Sequence, residues 1–291
     1  TTEIYTLSLH DALPIFIEKI YINHGICTGK INNPFGEDGV YGKSRVLRPY
    51  SKPYYDKMFA ASDFEKDYAI KATKELQSRV VVTGFLQADL IDKLQNETRD
   101  IIRDKLGYSS DDIVVHIIST WGSSSLFQTI GEELLCEAAR ISNKYKFIFS
   151  LHPRHDEFGD VMGRKREDIL NQCEAMGVRP DRQLSWQDCV VAGDIAISDH
   201  SSLCLYYVLL NKPLILTSIQ TNSYIDNSLI DRLRKLTFCL NHPDELYDIL
   251  QAASRLPCSK ELAEFRTNLR SYPGRAAQRY KEEIYNLLYN A

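Results

Sequence analysis

An α/β fold is predicted for this 291-residue chain, on two observations. Short apolar, β-branched runs alternate along it with helix-length segments, which argues for parallel strands covered by helices on both faces. Polar clusters rich in His, Gly and Ser sit where several of those runs end, at the carboxyl ends of strands, where sheets of this kind gather their ligands.

In chain order, residues 17–22 read as a strand ending at Asn23-His24-Gly25, and a polar, tyrosine-rich loop follows over 26–55. Residues 57–61 read as a short strand, 63–77 as a helix and 79–83 as a strand closed by Gly84. A charged helix over 89–106 ends a first predicted domain. The second series has strands over 113–119, 146–151, 194–197, 213–217 and 236–240, and helices over 130–143, 164–176, 201–210 and 243–253. In the helix over 130–143, Leu134, Leu135, Ala138 and Ile141 share the face that a period of about 3.6 residues turns to a core. A last helix over 276–289 carries Tyr280, Ile284, Leu287 and Leu288 on the side expected to pack on a domain surface.

Composition narrows the function classes. The chain is 44% hydrophobic and 25% charged, an ordinary globular balance, long enough for two domains. Its net charge of −4 supplies no global basic field for nucleic acid. No apolar run approaches the roughly 20 residues of a membrane helix. Seven scattered cysteines without a CxxC pair fit a reducing cytoplasm better than a disulfide framework or a zinc site. His116, His155, His200 and His242 show no ligand spacing, so neither metal nor cofactor is expected. A basic stripe (Arg266, Arg270, Arg275, Arg279, Lys281) is interrupted by Glu282 and Glu283 and reads as a solvated face, with anionic lipid as the alternative. The loop over 43–57 is basic and aromatic and reads as a solvated loop, with reception of a polyanionic acceptor as the alternative.

Residues 194–213, DIAISDHSSLCLYYVLLNKP, carry the most information. A short apolar strand runs into Ser198-Asp199-His200-Ser201-Ser202, and an apolar helix follows. Unpaired amides and a positive dipole at such a helix start suit a phosphate. Asp199 and Ser201 are also residue types that merely cap helices. Two further clusters, His24-Gly25 and His152-Pro153-Arg154, close strands in the same way.

Residues 1–15, TTEIYTLSLHDALPI, read codon for codon as the translation of a common sequencing adapter and are set aside. On that expectation the authentic chain begins near Phe16, in mid-sequence.

With these motifs the chain resembles the CDP-glycerol glycerophosphotransferases, the family that includes teichoic acid polymerases. The family's HGTPLK-type motif is matched by His24-Gly25-Ile26-Cys27-Thr28-Gly29-Lys30, and its GYPRND segment loosely by VVVTGFLQADL over 80–90. Its APTWR segment corresponds to Ser119-Thr120-Trp121-Gly122, its RPHP segment to Leu151-His152-Pro153-Arg154, and its ISDYSS…DKP segment to 197–213. The sequence departs from the pattern at Lys30, one residue late, at Gly122 in place of Arg, and at Leu86-Gln87-Ala88 in place of Pro-Arg-Asn.

The resemblance implies two Rossmann-like domains facing a cleft, of GT-B type. The domains would be a partial acceptor-side domain over 16–106, a nucleotide-donor domain over 107–273 and a C-terminal helix over 274–291. The N-terminal domain would be incomplete, because further strands precede the HG motif in the family. An incomplete first domain would leave this stretch poorly soluble or inactive by itself. The implied reaction moves glycerol phosphate from CDP-glycerol to a hydroxyl of a teichoic acid, wall or capsule polymer and releases CMP. Partners would be the nucleotide-activated donor and a polyol-phosphate or glycan acceptor, at the inner face of the cell membrane. His24 would be the general base. Gly25 would allow close backbone approach. His152 and Arg154 would bind or neutralise phosphate. Ser201 and Ser202 would hold the phosphate of the leaving CMP, and Asp199 would orient the turn or touch ribose. Lys30, Thr120 and Ser198 complete the implied substrate-binding set. A nucleotide-sugar transferase or epimerase, and a non-catalytic nucleotide-binding module, are the alternatives.

Overall fold

The computed structural model describes residues 18–23, 25, 26, 29, 37, 39–158, 162–218, 224–256 and 258–289. The adapter-like residues 1–15 and the candidates His24 and Lys30 lie outside the described residues.

The first domain contains β1 (Ile20–Ile22), α1 (Lys43–Val46), β2 (Leu47–Arg48), β3 (Lys52–Pro53), β4 (Lys57–Ala60), α2 (Asp63–Ala72), β5 (Val80–Val82) and α3 (Leu86–Lys105). Its main sheet has the order β1-β4-β5, all parallel. The Ser62 hydroxyl caps α2 by accepting from the Glu65 amide at 3.2 Å. The buried Glu65 carboxylate accepts in turn from the Ala61 amide at 2.7 Å and the Tyr41 hydroxyl at 3.0 Å. That bond draws Tyr41 into the core with Val46, so the described part of the expected loop from residue 39 onward is not without structure, although Lys43, Arg45, Arg48 and Lys52 on it are exposed. It includes a one-turn helix and the β2–β3 hairpin, elements of two to four residues that leave no periodic trace in a sequence.

The second domain is built from β6 (Val114–Ser119), α4 (Glu132–Arg140), β7 (Lys146–Leu151), α5 (His155–Phe158), α6 (Arg166–Ala175), β8 (Arg179–Pro180), α7 (Trp186–Ala192), β9 (Ile195–Ser198), α8 (Cys204–Leu209), β10 (Leu214–Thr217), α9 (Leu229–Arg234), β11 (Phe238–Leu240) and α10 (Leu246–Arg255). Two more helices follow, α11 (Lys260–Leu269) and α12 (Ala276–Tyr289). The strand order is β11-β10-β9-β6-β7-β8, all parallel. This is the Rossmann order, and its direction of winding reverses between β6 and β9. Every residue of those two strands is buried, which explains why they are apolar apart from His116 and the serines that end them.

Polar groups inside this sheet are paired. His116 on β6 contacts the Tyr207 hydroxyl through Nδ1 at 2.9 Å and Ser150 Oγ through Nε2 at 2.8 Å. Burial, with the Lys212 charge nearby, pushes its pKa down to about 3. Lys212 Nζ donates to the carbonyls of Val190, Val191 and Gly193 at 2.9, 3.1 and 2.6 Å. It thereby closes the C-terminus of α7, where a cation is favoured.

Two elements tie the domains together. The guanidinium of Arg103 on α3 is buried and reaches Asp194 at 2.9 Å, with further bonds to the carbonyls of Ser109 and Asp112. Asp194 also accepts from Arg99 at 2.5 Å and from the Val114 amide at 2.8 Å, at the start of β6. In the other direction, α12 returns to the first domain. Tyr280 packs edge-on against Phe59, with ring centroids 4.8 Å apart, and Glu283 faces Lys57 at 3.7 Å.

Folded His116 binds a proton less readily than the unfolded chain, so stability rises with pH between about 3 and 6.5. Urea unfolding is expected to show a loss of up to about 1.4 kcal/mol per pH unit from this group as the pH falls below 6.5. A His116→Gln variant should lack that share of the slope.

Candidate functional site

The carboxyl ends of β6 and β9 flank the point where the sheet reverses, the usual ligand crevice of such folds. One buried carboxylate joins them. Asp199 Oδ2 accepts from the Thr120 amide at 2.9 Å, from Thr120 Oγ1 at 2.8 Å and from the Leu126 amide at 2.8 Å. Its Oδ1 accepts from the amides of His200 at 2.6 Å and Ser201 at 3.1 Å. Thr120 therefore sits in the site as a partner of Asp199. Beside it, Ser119 Oγ accepts from the Phe127 amide at 2.9 Å.

This bonding moves the helix start. The expected helix over 201–210 begins at Cys204, because residues 199–203 turn inward on Asp199 and on Ser201, whose Oγ accepts from the Leu203 amide at 3.3 Å. The amides of His200, Ser201 and Leu203 are thus already occupied. The row of unpaired amides that the sequence suggested is shortened at this turn. Ser198 is fully buried, and its Oγ has no hydrogen-bond partner among the described residues.

His152 follows β7, the neighbour of β6. Its amide donates to the Ser119 carbonyl at 3.1 Å, and its Nδ1 accepts from the Arg154 amide at 3.1 Å. Accepting that bond puts the ring hydrogen on Nε2, which makes Nε2 a donor. The indole of Trp121 meets the imidazole edge-to-face at 6.3 Å. Arg154 itself is exposed and held by Glu157 at 2.7 Å, at the surface.

The turn carrying His152 is clamped by a residue that sequence reasoning missed. Arg166 donates through Nε to the Leu151 carbonyl at 3.1 Å and through Nη2 to Asp181 at 2.7 Å. Its own amide donates to Asp156 at 2.6 Å. Burial raises the Asp181 pKa, and the Arg166 charge pulls it back. Nothing in the spacing of Arg166 marks it, because its role depends on where β8 ends.

The first domain reaches this crevice through the loop after β1. A Cβ placed on Gly25 would lie 3.2 Å from Ser202 Oγ, so backbone and hydroxyl are already in near contact. Further along, Gly29 has φ +81° and lies against Ser228 and the Tyr68 hydroxyl. Its carbonyl accepts from the Ile225 amide at 2.8 Å. Only glycine combines that backbone with that approach. The structure thus brings together Gly25, Thr120, Asp199, Ser201 and Ser202, links His152 to them through Ser119 and Trp121, and leaves Arg154 at the rim.

The loosely matched segment over 80–90 has a different part. Gly84, at φ +81°, lies against the Ser271 carbonyl. Asp89 accepts from the amides of Gly274 at 2.8 Å and Ala276 at 3.0 Å, capping α12. Among the described residues, no group of three or more His, Cys, Asp or Glu is placed to hold a metal.

Similar proteins frame this geometry. The wall teichoic acid polymerase TagF matches with a TM-score of 0.60 at 15% identity, over 90% of this chain and 66% of the TagF chain. A TagF variant soaked with CDPG matches with the same TM-score, over 81% of this chain and 58% of that one. The UDP-GlcNAc 2-epimerase of Methanocaldococcus jannaschii matches with a TM-score of 0.50 at 12% identity, over 79% of this chain and 61% of its own. These likenesses show a fold of GT-B type, and the chain spans about two thirds of the TagF length. No match was found among curated protein sequences. The model of the CDP-glycerol:poly(glycerophosphate) glycerophosphotransferases matches residues 20–279, and with the crevice its motifs build, this places the chain in that family.

Proposed function

We propose that this chain transfers glycerol phosphate from CDP-glycerol to a hydroxyl of a teichoic acid or related wall or capsule polymer. The observation that carries the reading is the near contact of Gly25 with Ser202, which sets the residue after His24 against the switch point of the donor-side sheet. A diphosphate in that crevice would lie between the two domains, the arrangement that in-line phosphoryl transfer requires.

His24 takes the proton of the acceptor hydroxyl. The acceptor oxygen bonds to the β-phosphorus, the bond from that phosphorus to the bridging oxygen breaks, and CMP leaves with the electron pair. His152, with its hydrogen on Nε2, donates to a phosphate oxygen as charge develops there. Ser202 donates from the opposite side. Asp199, saturated by five donors of its own chain, acts by holding the loops of β6 and β9 in register; we assign it no contact with ribose. Arg154 serves at most the rim.

The enzyme would act on the cytoplasmic side, at the membrane surface. No described helix is long and apolar enough to cross a membrane. Two arginines of the C-terminal basic stripe are engaged internally, Arg270, its side chain only 11% exposed, with Asp89 and Asp92, and Arg279 with Glu282 and Glu283, so the stripe is neither a wholly solvated face nor a continuous basic surface for lipid.

Turnover of a panel of CDP-glycerol, CDP-ribitol and UDP-sugars tests the reading, with CDP-glycerol expected to be preferred; preferential use of a UDP-sugar would overturn it. Replacing His24 or His152 by Ala is expected to lower kcat by about 10²- to 10⁴-fold, measured with saturating donor. Asp199→Ala leaves several buried amides unsatisfied and is expected to cost about 3 kcal/mol in urea unfolding. Arg166→Ala should lower kcat by about tenfold or more through the His152 turn, with partial recovery in Arg166→Lys; the ring nitrogens of His152, followed by NMR, should lose their single tautomer in the Ala variant.

A further inference from the structure

The backbone of His152 is held from two sides. Its amide donates to the Ser119 carbonyl at 3.1 Å, and its carbonyl accepts from the His155 amide at 3.0 Å. Both partners lead to one residue, Phe127. The Phe127 amide donates to Ser119 Oγ at 2.9 Å. Its ring meets the buried His155 imidazole edge-to-face, with centroids 6.2 Å apart. These four residues close a circuit, Phe127 to Ser119 to His152 to His155 and back, that joins the end of β6 to the first turn of α5.

The Phe127 ring has little room to leave this position. It is buried, with the Phe149 ring of β7 at 5.9 Å and the Arg164 guanidinium over it at 5.0 Å. It also lies against Gly131, where a Cβ would come within 2.6 Å of Phe127 Cδ2 and 3.2 Å of Phe127 Cβ. Gly131 has ordinary helical angles, φ −59° and ψ −46°, so glycine stands there for space and not for backbone freedom. Glycine inside a helix lowers its stability, a cost that the close seating of this ring explains.

Phe127–Gly131 form one turn of π-helix that leads into α4. Such turns are rare and are found mostly at functional sites. At its start two successive amides go to different acceptors, Leu126 to Asp199 and Phe127 to Ser119. The same turn is thus bonded to the floor of the crevice and, through its one aromatic ring, packed against the turn that carries His152.

We infer that Phe127 is a positioning residue for His152, and that Gly131 is glycine because that ring needs its space. Arg166 grips the same turn at the Leu151 carbonyl, one residue before His152; Phe127 acts on the residues before and after it in space. An aliphatic side chain at 127 would keep the amide bond to Ser119 and lose the edge-to-face contact with His155. The His155 end of the turn is then released, and with it the Arg154 amide that fills Nδ1 of His152. The inference rests on the transferase reading above only for the part His152 plays in turnover.

The test compares Phe127→Leu and Gly131→Ala in the full chain with a control, Phe147→Leu. Phe147 is buried in the same core on β7, and its ring neighbour is Tyr145. In ¹⁵N spectra recorded without substrate, both test variants should mix the two tautomers of the His152 ring, and the control should not. With CDP-glycerol, both are expected to lower kcat about tenfold or more while the donor KM changes by less than about threefold. The control should keep kcat within about twofold of the wild type at a comparable loss of Tm. An unchanged His152 tautomer in both test variants, or a fall in kcat that the control matches, would overturn the inference. Gly131→Ala displaces the ring without removing it and decides the outcome if Phe127→Leu does not fold; failure of both to fold would mark the ring as structural support alone and overturn the positioning role. Because the spectra need no turnover, mixed tautomers with undiminished transfer would support the positioning and count instead against the role given to His152.

Discussion

The carboxylate of Asp199 is the constraint on which the crevice depends. Two loops leave the central strands in opposite directions at the switch point, and such loops are the least restrained parts of an α/β sheet. Five bonds to one buried anion fix both. Burying a carboxylate is costly unless its lone pairs are filled, and here backbone amides fill most of them. The consequence is a rigid floor. Its cost is that the amides which open most phosphate-binding helices are already used at this turn, so the phosphate contacts we propose fall to Ser202 and the neighbouring imidazole.

The imidazole is positioned by the same economy of backbone contacts. The His152 amide is tied to Ser119, one residue before the Asp199-bound Thr120, so β6 anchors both turns. The Arg154 amide then fills Nδ1, and Arg166 locks the carbonyl that precedes the turn. A surface histidine would exchange tautomers freely. Here the Arg154 amide on Nδ1 favours one tautomer, the one the proposed transfer uses.

Much of the fold was legible because it rests on long signals. Both central strands of the second domain appear as apolar runs, broken in mid-strand only by His116 on β6, and α4, α6, α10 and α12 were found within a few residues of their observed ends. The elements that escaped were short or held by tertiary contacts. Helix α7 spans seven residues, and β8 two, one of them Pro180. Helix α1 and the β2–β3 hairpin become visible only once Tyr41 is seen to bond Glu65. The turns that carry His152, Asp199 and Ser202 follow β7 and β9, as the strand pattern implied. What those residues do was not legible. Asp199 binds its own chain, Arg154 faces Glu157, and the motif lysine Lys212 closes α7 at the opposite end of the sheet from the crevice. Sequence spacing reports which turn a residue occupies; the direction of its side chain is decided by packing.

The two domains solve different problems with the same chain. The floor of the second domain is stiffened by buried bonds, while the first domain approaches it at Gly25 and Gly29, where backbone lies close to side chains. Crossed tethers hold these parts in register. Arg99 and Arg103 on α3 bind Asp194 at the base of the second sheet, and α12 packs back on Phe59. Each domain thus contributes a helix to the other, and opening the cleft must strain both connections at once. The transfer we propose needs that coupling, because a shift of about 1 Å between attacking oxygen and phosphorus is enough to lower the rate a hundredfold. The Asp194 tether lies at the amino ends of β6 and β9, away from the crevice, while the chain entering α12 is held at the carboxyl ends of β4 and β5, where the Ser271 amide donates to the Ala61 carbonyl at 2.8 Å, so the two tethers grip the domains at opposite ends of their sheets.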